Sequence, residues 1–282
     1  METTRWDKNC VSEVRNVVVV GATHGNELHG IHLVDEINSD SALLKFKEEC
    51  PSLSIRGIIG NVAAAVAVGT GAGLRYCETD LNRCFLLEDL ANRDISSIEG
   101  LRAKEIDALL GPKSSDSPIT DLILDFHSTT SNTGILLLCH PRDKFSLRLI
   151  AYLQSSHPTI SVCMWPDTEV SLLPSIARSG MTVEVGPIPH STSNTELYQR
   201  TKVIMHEAIL YTEMHNRWVR AGMPTTQLKP VKLQLFRRFA TLGYPRDSNG
   251  TRHTIQINKL SAAILRATIS VIELTHLMLN MS

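Results

Sequence analysis

The sequence predicts an α/β fold, with a mainly parallel mixed sheet flanked by helices. Two observations support this class. Short apolar runs rich in Val, Ile and Leu have the composition of buried strands, and segments with helical spacing of apolar residues alternate with several of them. Alternating strands and helices are typical of parallel sheets, in which ligands gather beyond the carboxyl ends of the strands.

Residues 16–110 contain four clear elements and one ambiguous segment. Residues 16–22 form a nearly continuous β-branched run, and residues 27–37 follow with apolar residues at helical spacing. Residues 55–60 predict a second strand, whereas the Ala/Val-rich residues 62–68 fit either a helix or a loop. Residues 98–110 predict a helix that ends at Gly111-Pro112.

The rest of the chain repeats the pattern. Strands are predicted at residues 122–127, 134–139 and 181–185, and helices at 145–154 and 194–218. Asn194 or Thr195 would cap the last helix. The apolar segment 260–281 contains Arg266, Glu273 and His276, which favours an amphipathic helix over a membrane span.

Composition narrows the function classes. The chain has 282 residues, 43% of them apolar, and a net charge of −1 without a basic stripe or tail, so no nucleic-acid partner is expected. Six scattered cysteines without a C-x-x-C pair predict reduced thiols and a cytoplasmic protein. A polar N-terminus argues against a secretory signal, and no transmembrane segment is expected.

His24 and Glu27 follow directly after the first predicted strand, and His127 ends the third. Two His and one Glu are a common ligand set for a catalytic zinc ion that keeps one position open. The alternative is that His24 is a hydrogen-bonded loop residue and that Glu27 is a helix N-terminal charge. Asp125, or a hydroxyl beside it, could hold the second ring nitrogen of His127.

Glu184 lies within an apolar predicted strand. Burial would raise the pKa of its carboxyl group and suit it to general acid/base work beside a metal ion. The alternative is a residue on the solvated face of an edge strand.

Residues 75–83 contain two arginines, an asparagine and an aspartate. Arg75 or Arg83 could bind a carboxylate with both guanidinium nitrogens, and Asn82 could add a donor. The alternative is a solvated loop with ion pairs. The preceding residues 69–73 lack a complete nucleotide-binding motif and predict a flexible loop.

Taken together, these segments resemble the aspartoacylase/aminoacylase-3 family of zinc amidohydrolases, which have a zinc-carboxypeptidase-like fold. Seven strings match in family order: residues 21–27, 75–83, 110–113, 125–132, 175–178, 183–187 and 244–247.

The resemblance implies a role for each matching residue. His24, Glu27 and His127 would bind one zinc ion per chain, and Glu184 would be the general acid/base. Arg75 would polarise the scissile carbonyl, while Asn82 and Arg83 would hold the α-carboxylate of an N-acyl-L-amino acid. The implied reaction is hydrolysis of the amide bond to a carboxylate and a free amino acid.

Two departures from the family pattern bear on the substrate. Pro174 stands where aspartate-selective members have an arginine, and Val170 stands where they have a tyrosine. The loss of a cation favours apolar, aromatic or S-conjugated cysteine side chains over N-acetyl-aspartate. Aspartoacylase activity and a catalytically impaired zinc-binding protein remain the alternatives.

The resemblance ends after Asp247. Residues 251–282 do not match the family's C-terminal domain, which predicts a truncated or atypical C-terminal segment. We therefore expect a zinc-hydrolase α/β domain at residues 1–220 and a partial or divergent region at 221–282, with a small-molecule substrate and possible homo-oligomers.

Overall fold

The computed structural model describes residues 12–69, 74–165, 170–222, 229–236 and 269–277. Within these ranges the chain forms one eight-stranded sheet. The strands are β1 (Asn16–Gly21), β2 (Ser54–Ile59), β3 (Leu122–Ser128), β4 (Gly134–Cys139), β5 (Ser161–Met164), β6 (Ser179–Gly186), β7 (Lys229–Phe236) and β8 (Ile269–Leu277).

The helices of the described residues are α1 (Leu28–Ile37), α2 (Asp40–Glu49), α3 (Val62–Gly69), α4 (Leu87–Ala91), α5 (Ile98–Leu110), α6 (Lys144–Ser156) and α7 (Thr195–Arg220). Polar side chains cap the N-termini of four of these helices, α2, α5, α6 and α7. The Asn194 side chain accepts from the Leu197 N–H at the start of α7, which confirms one of the two predicted caps. None of these helices is long and apolar enough to cross a membrane.

The strand order is β2-β1-β3-β6-β4-β5-β7-β8. Five of the seven neighbouring pairs are parallel, and only β4–β6 and β7–β8 are antiparallel. The predicted mainly parallel mixed sheet is therefore confirmed.

Both faces of the central strands are buried, as expected for a sheet between helical layers. All seven residues of β3 are buried. Leu122, Leu124 and Phe126 point into the larger apolar core, whereas Ile123 points into a smaller core on the opposite face. The sheet is thus fixed from both sides, which gives the ends of its strands a rigid base.

Strands β1, β3 and β6 run parallel and end at the same edge of the sheet. Val20 lies opposite Asp125, and His127 lies opposite Glu184 in the neighbouring strand. This register brings residues from three distant parts of the sequence to one place.

Several elements differ from expectation. The segment 62–68, which fitted a helix or a loop, belongs to α3. Helix α2 and strand β5 were not predicted. The amphipathic helix expected at 260–281 is wrong for Ile269–Leu277, which pairs antiparallel with β7. This segment is rich in β-branched residues, which suit a strand.

Other expectations fall outside the described residues, namely most of the 69–73 loop, the string at 244–247 and most of the region from 251 onwards. Strands β7 and β8 both come from the expected C-terminal region and continue the main sheet beyond β5. The boundary near residue 220 stays a prediction.

Candidate active site

Two histidines and one glutamate meet at the carboxyl edge of β1 and β3. His24 and Glu27 lie in the turn between β1 and α1, and His127 lies near the end of β3. The Nδ1 atoms of His24 and His127 are 3.1 Å apart, and they lie 2.7 Å and 2.9 Å from the two carboxylate oxygens of Glu27. All three side chains are buried, and one ligand atom of each lies within 4.8 Å of the others.

This spacing fits a tetrahedral metal ion. With zinc–nitrogen bonds of 2.0–2.1 Å, two ligand atoms of a tetrahedron are about 3.3 Å apart. The two ring nitrogens lie close to that separation, and nitrogen and carboxylate oxygen are donors that zinc accepts. The three residues therefore form a donor set of the right composition and nearly the right dimensions.

The second nitrogen of each ring faces a carboxylate. His127 Nε2 lies 2.8 Å from Asp125 Oδ2, as the sequence suggested, and His24 Nε2 lies 3.1 Å from Asp80 Oδ1. A proton on Nε2 satisfies both contacts and leaves the Nδ1 lone pairs directed at the common centre. Asp125 is itself held by the Thr23 hydroxyl, which donates to its other oxygen at 2.7 Å.

The electrostatics of the cluster favour a cation. Burial by itself would raise the pKa of Glu27, but His127 and His24 outweigh it and hold this pKa well below its usual range. Burial would lower the pKa of His127, but Asp125 and Glu27 outweigh it and raise the pKa above its ordinary value. These carboxylates draw positive charge to the cluster, and a divalent ion would supply it.

Glu184 stands beside this cluster. It belongs to β6, which lies between β3 and β4, so the alternative of an edge strand is wrong. Burial, opposed by His127, raises the pKa of its carboxyl group. Glu184 lines the same cavity as His24 and His127, where a carboxyl group of raised pKa can accept and return a proton.

The segment from Arg75 to Arg83 contributes three residues to the cavity, namely Arg75, Asn82 and Arg83. Arg75 contacts Glu27 Oε1 at 3.1 Å through Nη1 and His24 Nε2 at 2.8 Å through Nη2, and its Nη2 lies 3.7 Å from Asp80. Arg75 is partly exposed and forms ion pairs, as the solvated-loop alternative expects, and its guanidinium also reaches the buried cluster.

A short 3-10 turn at Leu81–Arg83 orients Asn82. The Asn82 Oδ1 atom accepts from the Leu173 N–H at 2.9 Å, and its Nδ2 atom lies 3.3 Å from His127 Nε2. The amide of Asn82 is therefore fixed with its nitrogen near the cluster. Arg83 also lines the cavity, and its Nη1 donates to the Asn82 carbonyl at 2.8 Å.

The cavity has a volume of about 470 Å³, and both polar and apolar residues line it. Its apolar lining, called here the apolar wall, comprises Leu138, Met164, Trp165, Val170 and Leu172, and all of these except Met164 pack against one another. Sequence reasoning missed the contribution of β5, because its apolar run is only four residues long. Among the described residues lining the cavity, Arg75 and Arg83 are the only two with a permanent positive charge.

Comparison with known proteins agrees with this geometry. Residues 13–210 match the model of the succinylglutamate desuccinylase/aspartoacylase catalytic domain. The chain belongs to this family. The matched region contains the three metal-ligand candidates, Glu184 and the segment 75–83.

The relatives include both aspartoacylases and N-acyl-aromatic-L-amino acid amidohydrolases. The chain is 37% identical over 241 residues to a probable aspartoacylase of Acaryochloris marina, covering 85% of this chain and 76% of the relative. It is 30% identical over 240 residues to a mouse N-acyl-aromatic-L-amino acid amidohydrolase, covering 83% and 70%. The crystal structure of murine aminoacylase 3 matches with a TM-score of 0.71 at 29% identity, over 86% of this chain and 76% of that one.

Proposed function

We propose that this chain is a zinc-dependent amidohydrolase that converts N-acyl-L-amino acids to a carboxylate and a free amino acid. One observation carries the proposal. His24, Glu27 and His127 offer converging donor atoms, and both histidines line the cavity that Glu184 and Arg75 also line. Family membership and relatives named as amidohydrolase and aspartoacylase support the same reaction.

His24 and His127 would hold the zinc ion through Nδ1, and Glu27 through its carboxylate. When bound, the ion supplies a Lewis acid that polarises a carbonyl group and makes water more acidic. Glu184 would take a proton from the attacking water and deliver it to the amide nitrogen that leaves. Its raised pKa suits both halves of this transfer.

Arg75 would donate to the carbonyl oxygen as negative charge develops there. With a proton on His24 Nε2, that nitrogen cannot accept from Arg75, so the Nη2 atom is left to donate to another acceptor. Asn82 Nδ2 and the Arg83 guanidinium would bind the α-carboxylate of the substrate. These donors orient the amide bond with respect to Glu184.

The apolar wall would receive the substrate's side chain. Pro174, at the position where aspartate-selective members have an arginine, is buried in a 3-10 turn and offers no charge. A side-chain carboxylate placed there would lose a charged partner, a loss worth about 1.5–3 kcal/mol, or about 10- to 150-fold. We therefore expect aromatic and other apolar N-acyl amino acids to be preferred over N-acetyl-aspartate.

The test is amine release by the zinc-loaded chain from N-acetyl-phenylalanine and N-acetyl-aspartate at equal concentrations. The expected result is one zinc ion per chain and a kcat/KM at least about 10-fold higher for the phenylalanine substrate. E184Q is the control, because it should keep zinc and lose turnover. Bound zinc without turnover of either substrate would refute the enzyme assignment, and a preference for N-acetyl-aspartate would refute the specificity.

A further inference from the structure

The loop that carries the substrate-binding residues is held by a carboxylate outside the cavity. Glu99 is the second residue of α5, and its side chain is fully buried at 0% exposure. Three consecutive backbone N–H groups donate to it: Cys77 at 2.6 Å, Glu78 at 3.1 Å and Thr79 at 3.1 Å. The Asn61 Nδ2 atom adds a fourth hydrogen bond at 3.0 Å.

This arrangement satisfies groups that the loop itself cannot pair. Residues 77–79 belong to neither a helix nor a strand, so their N–H groups need an external acceptor. Burial would raise the pKa of Glu99, but the hydrogen bonds outweigh it and lower this pKa. The N-terminus of α5 also stabilises a negative charge at this position.

The contact is reciprocal. The Glu78 side chain accepts from the Ile98 N–H at the start of α5, while Glu99 of α5 accepts from the backbone of Glu78. The loop and the helix therefore hold each other at two neighbouring points. Movement of the loop away from α5 would break these hydrogen bonds and leave the buried Glu99 carboxylate with too few donors, which is costly.

The fixed segment lies between the groups proposed to act on the substrate. Arg75 precedes it, and the Arg75 carbonyl accepts from the Gly25 N–H at 3.0 Å. Asp80 and Asn82 follow it, with the Asn82 side chain bonded to the Leu173 N–H. Each of residues 77–79 lies within about five residues of both Arg75 and Asn82. A shift of residues 77–79 would therefore displace Arg75 or Asn82.

We infer that Glu99 is a positioning residue for the reaction, because its carboxylate fixes residues 77–79 and thereby sets Arg75, Asn82 and Arg83 in the cavity. This inference rests on the proposed function. Glu99 touches neither substrate nor metal in this assignment. A displacement of about 1 Å at the reacting groups can cost about 100-fold in rate.

The test replaces the carboxylate by a neutral amide of the same shape. In the parent chain, each carboxylate oxygen of Glu99 accepts from at least one loop N–H. In E99Q, one of these oxygens becomes an NH2 group, which cannot accept, so at least one loop N–H loses its acceptor. We expect hydrogen–deuterium exchange of the Cys77, Glu78 and Thr79 amides to accelerate about 10-fold or more. The kcat/KM for N-acetyl-phenylalanine should fall about 100-fold, with lower kcat and higher KM, while zinc content stays at one per chain.

E213Q is the matched control. Glu213 is also buried, at 3% exposure, and accepts from the Ser52 N–H and from Arg217, but it lies near the start of β2, away from the carboxyl edge. This variant should lose stability without changing KM or the exchange of residues 77–79. N61A is a milder second variant, which removes one of the four hydrogen bonds and should accelerate exchange by about 3- to 10-fold.

Two results would overturn the inference: unchanged exchange at residues 77–79 in both E99Q and N61A, or kinetics of E99Q no worse than those of E213Q. The exchange readout does not require turnover. If the parent chain were inactive, the proposed function would fail separately, and weaker binding of N-acetyl-phenylalanine to E99Q than to the parent would still support the positioning role.

Discussion

Replacing Asp125 by alanine should weaken zinc binding about 10- to 100-fold. Asp125 is fully buried, and its Oδ2 atom lies 2.8 Å from His127 Nε2. In D125A, the Nε2 proton of His127 would be buried without an acceptor, a loss of about 1–3 kcal/mol. The effect measured when the outer partner of a ligating histidine is removed is also about 10- to 100-fold, or about 1.4–2.8 kcal/mol.

The assay is the zinc dissociation constant by competition with a chelator of known affinity, measured on folded protein. T23V is the matched control, because it removes the hydroxyl that donates to Asp125 Oδ1 and leaves the contact between Asp125 and His127 in place. The zinc affinity of D125N should lie between those of D125A and T23V, since the amide oxygen of D125N can still accept from His127. Zinc affinity of D125A within about threefold of the parent would refute the claim that Asp125 orients a metal ligand.

Three other outcomes follow from the structure. E184Q should retain zinc and lose about 10²- to 10⁴-fold in kcat, measured in single turnovers; near-normal turnover would exclude Glu184 as the general base. Burial lowers the pKa of His215 to about 4 from an ordinary 6.5. The folded state thus resists protonation, and stability present above pH 6.5 should be lost as pH falls towards 4, by about 2 kcal/mol between pH 7 and pH 5 in urea titrations. H215F should lose this part of the pH dependence, and an equal slope in parent and variant would contradict it. G21A should cost about 3 kcal/mol or prevent folding, because its Cβ would lie 2.0 Å from the Gly30 carbonyl oxygen of α1; a melting temperature equal to that of the parent would count against this packing.

Much of the fold was predictable from the sequence, because its central strands are buried on both faces. Such strands have continuous apolar runs, as in β3 (Leu122–Ser128), that can be recognised without knowledge of their partners. Helix α2 (Asp40–Glu49) was missed because Phe46 is its only buried side chain, so its apolar pattern is weak. For Ile269–Leu277, local pattern fitted a helix, and the pairing with β7 makes it a strand.

The site was predictable in part for a related reason. His24, Glu27, His127 and Glu184 lie at or near predicted strand ends, and parallel strands end at a common edge. The partners of these residues were harder to foresee. In the sequence, Asp80 resembles a loop residue and Glu99 a helix N-terminal charge, and only the folded chain brings them to His24 and to the amides of 77–79.

Two chemically different sets of groups meet in the cavity, and different parts of the fold hold them in place. The metal-ligand candidates lie near the end of β3 and in the turn after β1, and both strands pack between two apolar cores. The groups proposed to bind the substrate carboxylate come from the segment 75–83, which has no strand of its own and depends on hydrogen bonds to α5 and to Leu173. Catalysis requires both sets to hold one substrate in register. It follows that variation in α5 near Glu99 can alter substrate binding while the metal-ligand candidates stay unchanged.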